Sequence, residues 1–309
     1  MLKPVFCIGG ATIDYKLQSK NDLVASTSNP VKSYATFGGV ARNVAENLAR
    51  FSQHVYLQCA VGNDLEGHQL FALMSKLGAN IESSIILENT STARYYAILN
   101  PNGHLHIALA DMDIFSHLSV SLLAKHWTQW DAHTLVFIDT NMPSEVIEFA
   151  LTKCQNTGAL LCIDPVSVAK TTRLPNSFKN IFLIKPNQDE ASELSGILIE
   201  TPEDAIKAGK LLLRRGAMNV VITLGHLGYI LVNEEVQIHY SIQLPKRIKD
   251  VSGAGDAFMA GILFGLQRNF SMSQACRFGE VAAYYTLQST QTVCENITEA
   301  CLHQPIYEY

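Results

Sequence analysis

The sequence has no apolar run long enough to cross a membrane. A transmembrane helix needs about 20 consecutive apolar residues, whereas the first apolar stretch of this chain stops at Gly9 and Gly10. That stretch is also too short for the apolar segment of a secretory signal peptide. We therefore expect a cytoplasmic protein with no membrane partner.

Metal-binding and redox spacings are missing as well. The seven cysteines stand singly, without a CxxC pair, and the ten histidines show neither HxxxH nor HExxH spacing. This excludes the usual zinc and disulfide frameworks and predicts reduced thiols. Two nucleotide-binding fingerprints are also absent: the first predicted strand leads into GGATID instead of GxGxxG, and no GxxxxGK[ST] occurs. An NAD-dependent oxidoreductase and a Walker-type NTPase are thereby excluded.

Positive charge is scarce. Lys and Arg number 23 against 28 Asp and Glu, which gives a formal net charge of −5. Nucleic-acid polymers attract basic surfaces, so we expect none as a partner. The hydrophobic share of 48% over 309 residues instead indicates a chain that can bury a large core.

Short apolar runs alternate with segments of helical periodicity along most of the chain. Strands are predicted at 5–8, 55–60, 135–138, 160–163, 181–184 and 219–224. Helices are predicted at 40–51, 64–77, 143–156, 187–195 and 202–215. The strands are almost continuously apolar, as in a sheet covered on both faces. The alternation predicts an α/β fold with a doubly wound, mainly parallel sheet flanked by helices, whose ligands bind beyond the carboxyl ends of the strands.

One part of the sequence departs from this alternation. Residues 93–100 and 104–110 flank Pro101-Asn102-Gly103, which is a hairpin signal. A second extended segment, 14–37, precedes the first long helix. We therefore predict a single domain over 1–309 with a small β lid formed by about 14–37 and 92–111. Such a lid would cover a binding site or form the surface of a homodimer.

A carboxylate follows a glycine-rich turn near the end of the chain. Gly253-Ala254-Gly255 precede Asp256, and a strongly apolar run follows. Small residues let the backbone turn tightly, and a helix that begins there would direct free N–H groups and its positive dipole end at an anion such as a phosphate. Asp256 would then lie within reach of a hydroxyl, as a general base. The alternative is an ordinary turn, with Asp256 favoured only by the helix dipole.

A second glycine motif, GGVARNVAENLA, places Gly38 and Gly39 ahead of Asn43. Glycines permit close backbone approach to a ligand, and the Asn43 amide can both donate to and accept from hydroxyls. Taken together and in this order, the two motifs resemble the signatures of the ribokinase-like (PfkB-type) carbohydrate kinases. The resemblance implies that Asp256 is the catalytic base, that residues 253–255 form an anion hole, and that the earlier motif binds the acceptor sugar.

Other positions match the same family between these signatures. The resemblance implies that Asp14 and Asn141 bind the acceptor, although several relatives carry an acid where this chain has Asn141. It also implies a Mg²⁺ near Glu190, often through water. The implied ATP-binding residues are Lys185, Asn187, Thr223, Gly225 and Gly228. ATP and Mg²⁺ are the expected cofactors, since phosphoryl transfer depends on positioning and on neutralising charge.

Many members of the family also bind a monovalent cation beside the anion hole. Asp250 and Ser252 are the residues that could bind such a cation, K⁺ for example. Val251 stands where the family motif commonly has threonine, so this chain departs from the pattern at that position.

The acceptor is indicated by less specific features. Asn-Thr-Ser-Thr at 89–92 and Asp-Met-Asp-Ile at 111–114 belong to a succession of blocks that resembles the bacterial pseudouridine kinases. This implies transfer of the ATP γ-phosphate to the 5′-hydroxyl of pseudouridine, with Asn89, Thr90 and Thr92 as candidates for base recognition. Ribokinase, fructokinase or another nucleoside kinase is the alternative with the same machinery. A non-catalytic sugar- or nucleoside-binding protein on this fold is the alternative from another class, against which the intact Gly-Ala-Gly-Asp argues.

Overall fold

The computed structural model describes residues 2–51 and 54–304. Its strands are β1 (Val5–Ile8), β2 (Thr12–Ser19), β3 (Val31–Gly38), β4 (Val55–Gln58), β5 (Ala60–Gly62), β6 (Ile85–Leu87), β7 (Ala93–Leu99), β8 (Leu105–Asp111), β9 (Leu135–Asp139), β10 (Leu160–Asp164), β11 (Ile181–Ile184), β12 (Asn219–Thr223), β13 (Tyr229–Val232) and β14 (Gln237–Tyr240). Its helices are α1 (Val40–Phe51), α2 (Leu65–Lys76), α3 (Val120–Leu123), α4 (Ser144–Thr157), α5 (Gln188–Ser195), α6 (Pro202–Arg214), α7 (Ala254–Gln267), α8 (Met272–Thr286) and α9 (Glu299–Leu302).

The central sheet has the strand order β14-β13-β12-β11-β10-β9-β1-β4. Neighbours from β4 to β12 pair in parallel, and β13 and β14 extend the sheet with antiparallel pairs. The parallel strands are short and apolar because both of their faces are covered by helices. The predicted doubly wound, mainly parallel sheet is confirmed, and its antiparallel edge was not predicted.

A second sheet, with the order β3-β2-β7-β8, stands apart from the central one. Strand β2 pairs antiparallel with β3 and parallel with β7, and β7 pairs antiparallel with β8. The turn at Pro101-Asn102-Gly103 joins β7 to β8. This four-stranded sheet corresponds to the segments predicted as a lid, and we refer to it as the lid sheet.

The strand predicted over 55–60 is wrong as a single element. Strand β4 belongs to the central sheet, whereas β5 pairs with β6 in a separate two-stranded sheet. The chain changes direction at Cys59, whose N–H donates to Ser84 Oγ and whose carbonyl accepts from the N–H of Ile85. The apolar run continues through this change, so the sequence gives no sign of it.

The core lies on both faces of the central sheet. Helices α1, α7 and α8 contribute to one buried cluster, and α4, α5 and α6 contribute to the other. Nearly all of α7 is buried, and Gly261 and Gly265 let it approach α8 so closely that an added Cβ would meet backbone atoms of α8. The apolar run after Asp256 is therefore a core helix. Within the described ranges, no helix is both long and apolar enough to span a bilayer.

Candidate active site

The glycine-rich turn forms the N-terminus of α7. Gly253 is the N-cap residue and has φ 77°, in the left-handed region. A Cβ at this position would overlap the carbonyl oxygen of Thr292, so the turn requires glycine for two reasons. Asp256 lies in the first turn of α7. The N-terminus of this 14-residue helix has the positive dipole end that favours an anion. The Asp256 carboxylate lies beside it.

The Asp256 carboxyl has a pKa raised to about 7. Loss of hydration is the main cause, and the negative charge of Asp164 adds to it. A hydrogen bond from Asn43 and the charges of Lys185 and Arg42 oppose the rise. A carboxylate whose pKa lies near neutrality can take up a proton at physiological pH, which is the property of a general base.

The two glycine motifs meet at this carboxylate. The Asn43 side chain donates from Nδ2 to Asp256 Oδ2 at 2.7 Å, and its Oδ1 accepts from Arg42. The sequence predicted that Asn43 binds acceptor hydroxyls. The structure places its amide nitrogen on the Asp256 carboxylate and places Arg42, which the sequence analysis did not select, behind it; acceptor binding by Asn43 stays a prediction.

Asp14 faces the first glycine motif from the lid sheet. A Cβ at Gly38 would overlap the Asp14 carboxylate, and a Cβ at Gly39 would overlap the backbone of Gly10. The Thr12 hydroxyl donates to Asp14 Oδ1 at 2.7 Å, while burial raises the pKa of Asp14. Gly38 and Gly39 therefore keep the chain close to the carboxylate predicted to bind the acceptor.

Asn141 lies at the same edge of the central sheet, directly beyond β9. Its Oδ1 accepts from Lys170 Nζ at 2.5 Å. Its backbone N–H donates to Asp139, whose buried carboxylate also accepts from the N–H groups of Gly10 and Ala41 at 2.9 Å each. Asp139 thus joins the turn after β1, the start of α1 and Asn141, and it fixes their relative positions.

A cavity of about 710 Å³ extends from the α7 turn. Six of the predicted site residues line it, namely Asn187, Thr223, Gly225, Gly228, Ala254 and Gly255. Its apolar wall includes Ile248, Ala283 and Leu287. The volume lies in the range of nucleotide-sized pockets, and the cavity combines apolar walls for a base with a helix N-terminus for phosphates. The residues therefore fit ATP.

Lys185 lies close to the glycine-rich turn of α7. Its buried ammonium is 2.9 Å from Asp164 Oδ2 and 3.7 Å from the position a Cβ would take on Gly255. Its pKa is raised, because the charge and hydrogen bond of Asp164 outweigh its burial. A cation held this close to the turn suits a phosphoryl group in transit.

Glu190, predicted to lie near Mg²⁺, is buried and forms the capping box of α5 with Asn187. Its two oxygens accept from the backbone and side-chain nitrogens of Asn187 at 2.9 and 2.8 Å. Burial and Asp164 raise its pKa to about 7. Among the residues described, no three His, Cys, Asp or Glu side chains form a cluster that could hold a metal ion. These groups suit a Mg²⁺ held mainly by phosphates and water, with Glu190 acting through water.

Asp250 and Ser252, the residues predicted to bind a monovalent cation, are occupied by a side chain of the protein. The ammonium of Lys16, on β2 of the lid sheet, makes an ion pair with Asp250 and lies 3.2 Å from Ser252 Oγ. The lid sheet is thus tied to the segment that precedes Gly253. No local pattern in the sequence indicates this contact.

Thr92, predicted to recognise the acceptor base, has partners within the protein. Its fully buried hydroxyl donates to Asp64 Oδ1 at 2.7 Å and accepts from the N–H of Gly62 at 3.0 Å. These contacts hold the start of β7 against the N-terminus of α2, so the hydroxyl is not available to a base. Asn89, with φ 60°, and Thr90 lie in the turn before β7, and their role in base recognition stays a prediction.

The sequence analysis missed several polar residues of the site. They are Lys16, Arg42, Asp139, Asp164 and Lys170. A signal existed for two of them, since Asp139 and Asp164 come directly after predicted strands and parallel strands present their carboxyl ends to ligands. Lys16 gains its role from a contact with a distant part of the chain. Arg42 and Lys170 lie inside helical segments, where the sequence gives no sign of a site.

Comparisons with known proteins show the family and the fold of this chain. The model of the pfkB family carbohydrate kinases matches residues 3–298. The chain is 29% identical to the pseudouridine kinase of Escherichia coli strain K12 over 93% of its own length and 91% of that protein. A putative sugar kinase from Clostridium perfringens superposes with a TM-score of 0.82 at 26% identity, covering 98% of this chain and 94% of the other.

The fold is also that of ribokinase. The structure of the Arabidopsis thaliana enzyme, in complex with ribose and ATP, matches with a TM-score of 0.81 at 18% identity over 98% of both chains. The central sheet and the lid sheet thus belong to one known fold. The chain belongs to the pfkB family of carbohydrate kinases, which transfer a phosphoryl group to an alcohol.

Proposed function

We propose that this kinase transfers the γ-phosphate of ATP to the 5′-hydroxyl of pseudouridine. The observation that carries the reaction is the position of Asp256, which lies at the N-terminus of α7 with a pKa near 7. The likeness to the Escherichia coli pseudouridine kinase over nearly the whole chain supports the acceptor.

Asp256 takes the proton of the acceptor hydroxyl as that oxygen approaches the γ-phosphorus. Asp14 and Asn141 orient the acceptor, and the turn at Gly253, Ala254 and Gly255 stabilises the negative charge of the transferring group through the helix N-terminus. Lys185 adds a positive charge beside this turn. Mg²⁺, near Glu190, would neutralise charge on the phosphate oxygens.

The nucleotide lies in the cavity beside α7, and the acceptor lies under the lid sheet. Asn187 and Thr223 contact the phosphate side of the nucleotide, and Gly225 and Gly228 allow the backbone to approach it. Asn89 and Thr90 at the root of the lid sheet contact the acceptor base. Hydrogen-bonding partners of this kind discriminate strongly against acceptors that cannot reciprocate.

The test is a comparison of acceptors. Purified protein is assayed with ATP and Mg²⁺ against pseudouridine, uridine, ribose, fructose and adenosine, and kcat/KM is determined for each. We expect pseudouridine to give the highest value. A higher value for ribose or for another acceptor would overturn the assignment of the substrate, and ATP and acceptor binding without turnover would indicate a non-catalytic binding protein.

A further inference from the structure

Asp256 belongs to a chain of hydrogen bonds that continues into the interior of α1. Asn43 donates to Asp256 Oδ2 at 2.7 Å, Arg42 donates to Asn43 Oδ1, and Arg42 also donates to Glu46. Glu46 Oε1 in turn accepts from Arg50 at 2.7 Å. Four side chains of one helix thus lead from a buried ion-pair cluster to the catalytic carboxylate.

The guanidinium of Arg42 determines which way the Asn43 amide faces. Arginine has donors and no acceptor, so the amide oxygen must face Arg42 and the amide nitrogen must face Asp256. Arg42 is itself fixed, because its Nε donates to the Gly38 carbonyl at 3.1 Å and its Nη2 donates to the Phe37 carbonyl. With its side chain only 2% exposed, Arg42 has little freedom to reorient.

The positive charge of Arg42 also acts on Asp256 directly. Arg42 and Arg50 share the carboxylate of Glu46, and the carboxylate of Asp14 also acts on Arg42. The charge of Arg42 opposes the rise in the pKa of Asp256, and charges in a region of low dielectric influence each other more strongly than in water. Arg50 is the outer member, and it donates to Glu46 and to the carbonyl of Glu295.

We propose that Arg42 is a positioning residue for the kinase reaction: by fixing the Asn43 amide as a donor, it holds Asp256 as an acceptor of the substrate proton. This proposal rests on the function proposed above. Asp256 without this support would be protonated more readily, since partial burial and Asp164 both favour its neutral form. Three charged side chains act on the Asp256 carboxyl, namely Asp164, Lys185 and Arg42.

The direction of the effect on pH dependence follows from these contacts. A hydrogen bond donated to a carboxylate and a nearby positive charge both favour the ionised form. Removing Arg42 therefore raises the pKa of Asp256 above about 7. As the pH is lowered, Asp256 then becomes protonated, and stops acting as a base, at a higher pH than in the wild type. Activity at pH 6 falls, whereas activity at pH 9 is preserved because Asp256 is ionised there in both proteins.

The experiment compares the pH dependence of kcat/KM in the wild type, Arg42→Met and Arg50→Met. For Arg42→Met we expect the acid limb to move upward by about one pH unit, which corresponds to a roughly tenfold loss at pH 6 and less than about a twofold loss at pH 9. Arg50→Met is the matched control, since it opens the same cluster without touching Asn43, and its acid limb should stay within about half a unit of the wild type.

Arg42→Lys provides a second variant that keeps the buried charge. A single ammonium cannot hold Asn43, Glu46 and two carbonyls at once, so we expect an upward shift smaller than that of Arg42→Met. An equal loss of kcat/KM at every pH in the Arg42 variants would show a purely structural role and overturn the proposal. A shift in Arg50→Met as large as that in Arg42→Met would also overturn it.

A direct titration separates this proposal from the proposed function. The carboxyl carbon signal of Asp256, identified by its loss in Asp256→Asn, is followed by NMR in protein with ¹³C-labelled aspartate. We expect its midpoint to be higher in Arg42→Lys than in the wild type, and an unchanged midpoint would contradict the role of Arg42. This readout needs no acceptor, so it remains interpretable even if pseudouridine is not phosphorylated.

Discussion

Two carboxyls of the site have a pKa raised to about 7, and their contacts give them different tasks. Both oxygens of Glu190 accept from Asn187 in the capping box of α5. Asp256 accepts one hydrogen bond from Asn43 and lies in the first turn of a helix whose N-terminus attracts phosphate. Asp164 raises the pKa of each. The acid with the fewer internal bonds is the one suited to take a proton from a substrate.

At the residue scale, Thr92→Val tests whether Thr92 is structural. The substitution leaves the buried N–H of Gly62 without its partner and removes a donor to Asp64. We expect the free energy of unfolding to fall by about 1–3 kcal/mol and kcat/KM for pseudouridine to change by less than about threefold, measured by urea denaturation and steady-state assay. Thr90→Val is the contrasting variant, for which we expect weaker acceptor selectivity with little change in stability. A Thr92→Val protein of unchanged stability and much weaker acceptor selectivity would instead support base recognition by Thr92.

At the scale of elements, the lid sheet and α7 are joined through Lys16. The strand β2 carries Asp14 toward the first glycine motif and Lys16 toward Asp250 and Ser252. Alternate residues of a strand point to the same face, so both side chains lie on one face of the lid sheet. One strand therefore links the first glycine motif to the segment that leads into the turn at Gly253.

Lys16→Met tests whether the ammonium replaces a monovalent cation. With Lys16 present, we expect turnover to be the same within about twofold in K⁺ and in a bulky organic cation, because the negative charge of Asp250 is already balanced. In Lys16→Met we expect turnover to fall in the organic cation and to recover at least in part in K⁺. Lys20→Met, one residue beyond the end of β2, is the control.

Two results would contradict this account of Lys16. A wild type that requires K⁺ would show that the ammonium does not replace the cation. Full turnover of Lys16→Met without K⁺ would show that neither cation matters for the anion hole.

The sequence predicted the elements better than it predicted the contacts between them. The helix predicted over 40–51 has the same bounds as α1. It could be predicted because apolar periodicity and the flanking glycines are local signals. The contact of Lys16 with Asp250 joins residues 234 positions apart, and no local signal encodes it. The antiparallel strands β13 and β14 were missed: β13 is an apolar run as short as β1, whereas β14 contains polar residues and has no continuous apolar run.

The same limit applies to the site. Gly253 and Asp256 were predicted because a turn and a helix start are adjacent in the chain. For Asn43 the sequence predicted acceptor binding, which stays a prediction, and it did not predict the contact with Asp256, since the amide was considered alone. Its partner Arg42 occupies the neighbouring position, but only the folded arrangement shows that the guanidinium orients the amide toward Asp256.

At the scale of the whole molecule, the lid sheet has an apolar face opposite the site. Ile107 and Leu109 on β8 are 47% and 51% exposed, and they pair with Ile98 and Tyr96 on β7. Directly paired residues share a face of the sheet, and it is the face away from Lys16. We expect a second copy of the chain to cover it, forming the homodimer predicted from the lid.

The mass in solution, measured by analytical ultracentrifugation, tests this arrangement. The double variant Ile107→Asp and Leu109→Asp should sediment as a monomer of 34.0 kDa at concentrations where the wild type is a dimer, because charge on an apolar interface opposes association. Leu198→Asp, at a position 74% exposed on another surface, is the control. A monomeric wild type would contradict the expectation.

The most direct test of the reaction as a whole is the turnover of Asp256→Asn. The amide keeps the shape of the side chain but cannot take a proton from the acceptor hydroxyl. We predict ATP affinity near that of the wild type by calorimetry, and a kcat for phosphorylation of pseudouridine lower by on the order of 10²-fold or more. Full turnover by Asp256→Asn, under conditions in which the wild type phosphorylates the same acceptor, would contradict the role of Asp256 as the base.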